Sequence, residues 1–441
     1  MQQSLTSGKP YRQIIRFALP LLMGNLFQQL YNMADTFIIS RTLGVDAFAG
    51  VSCTTGLANL IIGFASGMTA GLAIPLAQSF GARQEKEVKC HYVHNLIISI
   101  VTGLVLTAVS VSLTPKLLTI LRTPSDIFGY AREYLYVIFA GIIATILYNF
   151  FANTLRALGD SRSPLQYLLI ACGINIVLDY VLIVYTPLGV KGAALATVLS
   201  QAISVVLCAL KIVRSVPVLS LKQYSWHGSL AVVKHNLAMG IPMAFQSSII
   251  SLGVILIQFA TNGMGTTAIA SYSVAQKIDG VAVEPLRSLG LTMSTYAAQN
   301  YGARQPQRIL QGVRQCVWMS IVLSVFLGLL MTVGGRFLAS LFVGTEQQPI
   351  LDLAHQFLVI HGALYSILAL LFVFRYTLQG LGNAVIPTVA GLMELAMRAL
   401  AAFILVPKLE FMGACIETPL SWLGALIPVI IAWCAAVRKL R

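Results

Sequence analysis

Long apolar stretches that do not alternate constrain this chain more than any other feature. Leu96–Leu113 and Ile321–Val333 each run without a charged residue. A strand of a membrane barrel would alternate apolar and polar positions over about ten residues, so a barrel is excluded. A spanning helix takes about 20 apolar residues, and twelve of them would occupy roughly 240 positions of the 441 present. Hydrophobic residues make up 57% of the chain and charged ones 10%, which excludes a string of soluble domains. The reading is an all-α membrane protein. Spans are predicted near 17–39, 50–78, 96–113, 134–154, 165–185, 193–210, 239–260, 268–297, 315–334, 355–374, 386–406 and 413–436.

A net charge of +14 would suggest nucleic acid in a soluble protein, but here the basic residues sort by side of the membrane. With the N-terminus placed in the cytoplasm, nineteen of the 29 Lys and Arg residues fall on that face, seven on the other, and three inside the spans. The excess is therefore an orientation signal that puts both termini in the cytoplasm, and no nucleic-acid partner is expected. No secretory leader is evident at the N-terminus. The seven cysteines lack CxxC spacing and are expected as free thiols. Cys90, His91 and His94 could form a metal corner, but their basic neighbours Arg83, Lys86 and Lys89 favour a solvated loop.

The chain repeats itself with an offset of about 221 to 223 residues. Gln78-Ser-Phe-Gly-Ala-Arg-Gln84 recurs as Gln299-Asn-Tyr-Gly-Ala-Arg-Gln305, and Thr154-Leu-Arg-Ala-Leu-Gly-Asp160 recurs as Thr377-Leu-Gln-Gly-Leu-Gly-Asn383. Pro20 answers Pro242, Gly44 answers Gly265, and Gly192 answers Gly413. Six spans per repeat return the chain to its starting side, so the two pseudo-repeats are parallel. The expected organisation is an N-terminal six-helix lobe over 1–211, a cytoplasmic linker over 212–237 that includes Lys222, Trp226 and His227, and a C-terminal six-helix lobe over 238–441. Gly63, Gly67 and Gly71 form a stripe suited to close helix packing, static or mobile. Pro20 and Pro242 are expected to kink their helices and serve as hinges.

Each charge inside a span needs a reason, because insertion costs about 2.5 to 3.5 kcal/mol apiece. In the second half Glu284 and Arg287 lie three apart and Glu394 and Arg398 four apart, so these charges are expected to neutralise one another, while Lys277 and Asp279 share span eight. Glu417 is placed near the outer end of its span, within reach of water. The first half has Asp35 and Asp179 and no Lys or Arg in its spans. Two such carboxylates should hold a proton or a metal cation. Asn175 lies one turn before Asp179, Thr36 follows Asp35, and Asn153 and Thr197 sit in neighbouring spans, a set of oxygens that would suit a hard cation. The alternative leaves Asp35 capping a helix end and Asp179 bonded to nearby hydroxyls.

The residues Met33-Ala-Asp-Thr36, Thr154 to Asp160, Asn175-Ile-Val-Leu-Asp179 and Gly189 to Thr197 resemble those of the multidrug and toxic compound extrusion (MATE) transporters, over essentially the whole chain. The resemblance implies twelve helices in two six-helix bundles arranged as a V. It implies a secondary antiporter of the bacterial cytoplasmic membrane that exports cationic or amphipathic organic compounds in exchange for H⁺ or Na⁺. The expected protein is monomeric, not an enzyme, and without a cofactor or resident metal other than a coupling Na⁺. The coupling-ion site maps onto Asp35, Asn175 and Asp179, with Asn153 and Thr197 beside them, and Pro20 becomes the hinge of the first helix. Candidate substrate-cavity residues are Gln28, Tyr31, Tyr148 and Gln246 in and around the first half, with Lys277, Asp279, Glu284, Arg287 and Tyr365 in the second. The sodium-coupled branch carries acids in spans seven and ten, where this chain has Gln246 and uncharged residues around Tyr365, which moves coupling towards the first half. A lipid-linked precursor flippase is the rival, resting on Lys277, Arg287 and Arg398 as holders of a pyrophosphate. A membrane enzyme finds no phosphate, Walker or GxSxG motif.

Overall fold

The computed structural model describes residues 4–121, 123–220 and 229–440. Twelve helical rods run along these residues: α1 Pro10–Thr42, α2 Val45–Gly81, α3 Glu85–Ile120, α4 Ser125–Ala140 with Ile142–Ala157, α5 Arg162–Val184, α6 Val190–Ser215, α7 Ser229–Thr261, α8 Thr266–Gly302, α9 Pro306–Val343, α10 Gln348–Gly380, α11 Val385–Leu409 and α12 Phe411–Leu440. Among the described residues nine are long and apolar enough to cross a membrane, and α4, bent by 45° at Gly141, makes ten. The other two, α1 and α8, hold Asp35 and Asp279. Every predicted span coincides with one rod, and all rods but α5, which stops at Val184, reach past both ends of the span. The fold is all-α, with twelve helices.

The repeat is written into the backbone. Gly44 and Gly265 share φ values of 86° and 88°, Arg83 and Arg304 share 58° and 55°, and Gly159 and Gly382 share 87° and 89°. These left-handed residues sit where one helix stops and the next begins, a conformation that glycine adopts without a Cβ clash.

The chain forms two compact units, one of residues 1–4 and 23–248, the other of 5–22 and 249–441. These boundaries differ from lobes at 1–211 and 238–441, because the first half of α1 packs in the second unit and the first half of α7 in the first. In the second unit Ile14, Phe17, Ala18 and Leu21 share a core with Leu289, Met293, Tyr296 and Ile309. Backbone contacts pin the segment before α1: Gln299 Oε1 accepts from the Leu5 amide at 2.8 Å, and the Arg308 guanidinium donates to the carbonyls of Leu5, Ser7 and Gly8. In the first unit a Cβ on Gly67 would stand 2.3 Å from the Met243 carbonyl, and one on Gly71 2.6 Å from that of Met239. The glycine stripe of α2 is therefore a seat for α7. Of the expected linker, Lys222, Trp226 and His227 lie outside the described residues.

His91 and His94 belong to no solvated loop. Both are buried in α3. His91 Nδ1 lies 2.7 Å from Asn236 Oδ1, Asn236 donates to Asn95 at 2.7 Å, and Asn95 donates to the Leu72 carbonyl at 2.7 Å. The chain of bonds satisfies buried polar atoms and ties α7 to α2 and α3. No metal-holding group of His, Cys, Asp or Glu occurs among the described residues, and all seven cysteines are free thiols.

Candidate functional site

Within the first unit, α1 carries Tyr31 and Asp35, α5 carries Asn175 and Asp179, and α6 carries Thr197. Asp179 is fully buried, and its Oδ1 has no hydrogen-bond partner. Asn175, oriented to satisfy both neighbours, donates to Asp179 Oδ2 at 3.0 Å and accepts from the Thr197 amide at 3.3 Å. One side chain thus orients a carboxylate and fastens α5 to α6. Tyr31 bonds the Thr197 side chain, and both Tyr31 and Tyr134 of α4 lie within electrostatic reach of Asp35 and Asp179. Asp35 Oδ1 is also buried without a partner, and neither acid forms an ion pair among the described residues. Buried carboxylate oxygens without donors are costly. The absence of any base in the first-half spans points to Asp35 and Asp179, and helical spacing adds Asn175; Tyr134 carries no charge, so the sequence holds no such signal for it.

Two of the expected site residues lie differently. The amide of Asn153 is engaged away from the acids: its Nδ2 donates to Thr69 Oγ1 at 3.3 Å, and its Oδ1 accepts from Arg156 at 3.1 Å. Thr36 bonds the carbonyl of Asn32 one turn back at 2.8 Å. Pro20 sits inside α1, two residues before that helix passes from one unit to the other.

Among the candidate cavity residues, Gln28 is exposed, Tyr31 half-buried, and Tyr148 and Gln246 buried. In the second unit Lys277 is exposed, while Glu284 is buried and pairs with Arg287 at 3.2 Å. The other charges pair otherwise than expected. Glu394 bonds Arg375 of α10 instead of Arg398, and Arg398 reaches Glu417 of α12 at 3.5 Å. Glu417 is accordingly buried and not open to water. Arg375, which the predicted span 355–374 leaves just outside the membrane, is buried because α10 continues to Gly380. Packing between helices decided these partners. Asp279 accepts from the Tyr365 hydroxyl at 2.7 Å, with His361 Nδ1 at 3.1 Å from the same oxygen. His361 carries no fixed charge, and its carboxylate partner lies on another helix, so the sequence does not reveal it.

The MatE family model matches the chain twice, over 20–181 and 242–404, one match to each repeat. The chain is 29% identical to the probable multidrug resistance protein YoeA of Bacillus subtilis, over 96% of this chain and 94% of the relative. It is 22% identical to the multidrug export protein MepA of Staphylococcus aureus, over 92% and 87% of the two chains. A solved structure described as the outward-facing conformation of a multidrug resistance MATE family transporter superposes with a TM-score of 0.91 at 22% identity, covering 99% of this chain and 98% of the other. A fold of twelve helices in two repeats, each matched by the same family model, makes this chain a member of the MatE family of membrane transporters.

Proposed function

We propose that the chain is a secondary antiporter that exports cationic or amphipathic organic compounds across a bacterial cytoplasmic membrane in exchange for protons, as a monomer with both termini in the cytoplasm. The observation that carries the reading is the acid pair of the first unit, in which Asp35 Oδ1 and Asp179 Oδ1 are buried without a donor. A proton or a Na⁺ offsets one of the two negative charges of such a pair, and a proton needs no further ligands. Relatives named for multidrug export and resistance support the substrate class. For an uncharged amphipathic substrate one entering proton crossing 100 mV supplies about 2.3 kcal/mol, whereas one-for-one exchange with a monovalent cation is electroneutral and is driven by the pH gradient. Pro20 would let α1 bend as Asp35 changes charge. Two of the three anion holders of the flippase alternative are engaged, Arg398 by Glu417 and Arg287 by Glu284, which leaves it Lys277 alone.

The test is transport of ethidium in proteoliposomes under separately imposed pH and Na⁺ gradients. Movement driven by the pH gradient alone supports the reading; movement driven by Na⁺ alone replaces the proton, and no movement under either removes the antiport.

A further inference from the structure

His361 of α10 is 1% exposed, and the acid pair of the first unit gives it no role. Its Nδ1 faces Asp279 Oδ1 on α8 at 3.1 Å, and that oxygen also accepts from the Tyr365 hydroxyl. An ionised carboxylate only accepts, so a neutral imidazole in this place carries its hydrogen on Nδ1 and leaves a lone pair on Nε2. Nε2 is buried and has no hydrogen-bond partner. The surroundings suit a cation at that ring. Phe357 packs against it with centroids 3.8 Å apart and Trp422 of α12 at 5.4 Å, and aromatic rings attract positive charge.

The charged and titratable groups on the packed helices leave Asp279 without another cation. From α8 comes Tyr272, from α10 Tyr365, and from α12 Glu417, which Arg398 of α11 already pairs. The α9 residues packed on this part of α10, Gly328 and Met331, are uncharged. Arg375 pairs with Glu394. Asp279 keeps 14% exposure, so the pair has a polar edge through which it can exchange with its surroundings.

We propose that Asp279, His361 and Tyr365 form a second proton-binding site, held entirely within the second unit, with Nε2 of His361 as the atom that takes the proton. On loading, the Nε2 lone pair forms an N–H bond with a proton delivered from water, and the imidazole becomes an imidazolium against the Asp279 carboxylate. The pair changes from a net single negative charge to neutral. On release the same bond breaks and the proton returns to water. The purpose of the site rests on the exporter reading and gives the second unit an ionic state of its own; its existence does not depend on transport.

The site is read by a nearby indole. Of the four tryptophans, Trp226, Trp318 and Trp433 are replaced by Phe, so that Trp422 alone emits from the purified full chain. An imidazolium quenches an adjacent indole. Acidification from pH 9 to pH 5, without drug or gradient, is expected to lower the emission in a one-proton transition that His361→Gln abolishes and Asp35→Asn leaves in place. Asp279→Asn removes the counter-charge and weakens proton binding about tenfold. Tyr365→Phe removes a donor from the carboxylate and strengthens proton binding. These opposite shifts are not what a merely structural role would give. If the triple replacement does not fold, infrared difference spectra of the unaltered chain across the same pH range read the imidazole bands of its six histidines, from which His361→Gln is expected to remove one histidine's share. No transition in the parent, or an unchanged transition in His361→Gln, overturns the site. Failure of ethidium transport in the parent would remove the exporter reading while leaving this titration standing.

Discussion

Glu410 holds the backbone conformation that Gly189 holds in the other repeat. Gly189 has φ 54° and ψ −129°, and Glu410 has φ 50° and ψ −129°. Both precede the last helix of their repeat. This region is essentially reserved for glycine, and a side chain there costs of order 1–3 kcal/mol. Glu410→Gly is therefore expected to raise stability by about 1 kcal/mol, read as a higher midpoint of thermal unfolding in detergent. An unchanged or lower midpoint would show that Glu410 is held by contacts worth more than the strain.

Arg375 and Glu394 form a buried pair between α10 and α11. Removing one partner of such a pair strands a charge and costs about 3–5 kcal/mol, whereas replacing both by apolar residues of similar size is often neutral or stabilising. Glu394→Leu alone should lower the unfolding midpoint markedly, and the double variant with Arg375→Met should recover most of the loss. Equal losses in the single and double variants would contradict the pairing.

The two amides proposed for the coupling site separate cleanly. Asn175 touches Asp179, while Asn153 bonds Thr69 and Arg156. Asn175→Ala is expected to reduce proton-driven ethidium transport at least tenfold, because the carboxylate loses the donor that orients it. Asn153→Ala should leave the rate within about twofold. Transport assays on both variants decide the point, and the reverse ranking would move the site towards Asn153.

Much of this molecule is legible in its sequence for physical reasons. Lipid imposes length and apolarity on every spanning helix, so runs such as Leu96–Leu113 show themselves without reference to anything else. Asp35 and Asp179 stand out because no base shares their spans. Pairing across helices is another matter. Glu394 lies four residues from Arg398 along one helix, yet each finds its partner on a different rod, because the partner depends on which helices pack side by side. The same limit hid His361, whose carboxylate lies on α8, and the engagement of Asn153 with Thr69 of α2.

The acid pair of the first unit is tested most directly by comparing proton-driven ethidium movement with drug counterflow in proteoliposomes that hold wild-type chain, Asp35→Asn or Asp179→Asn. If these carboxylates carry the coupling proton, each variant keeps counterflow within a few-fold of wild type but loses the response to an imposed pH gradient. Proton-driven transport at the wild-type rate in both variants would contradict the assignment.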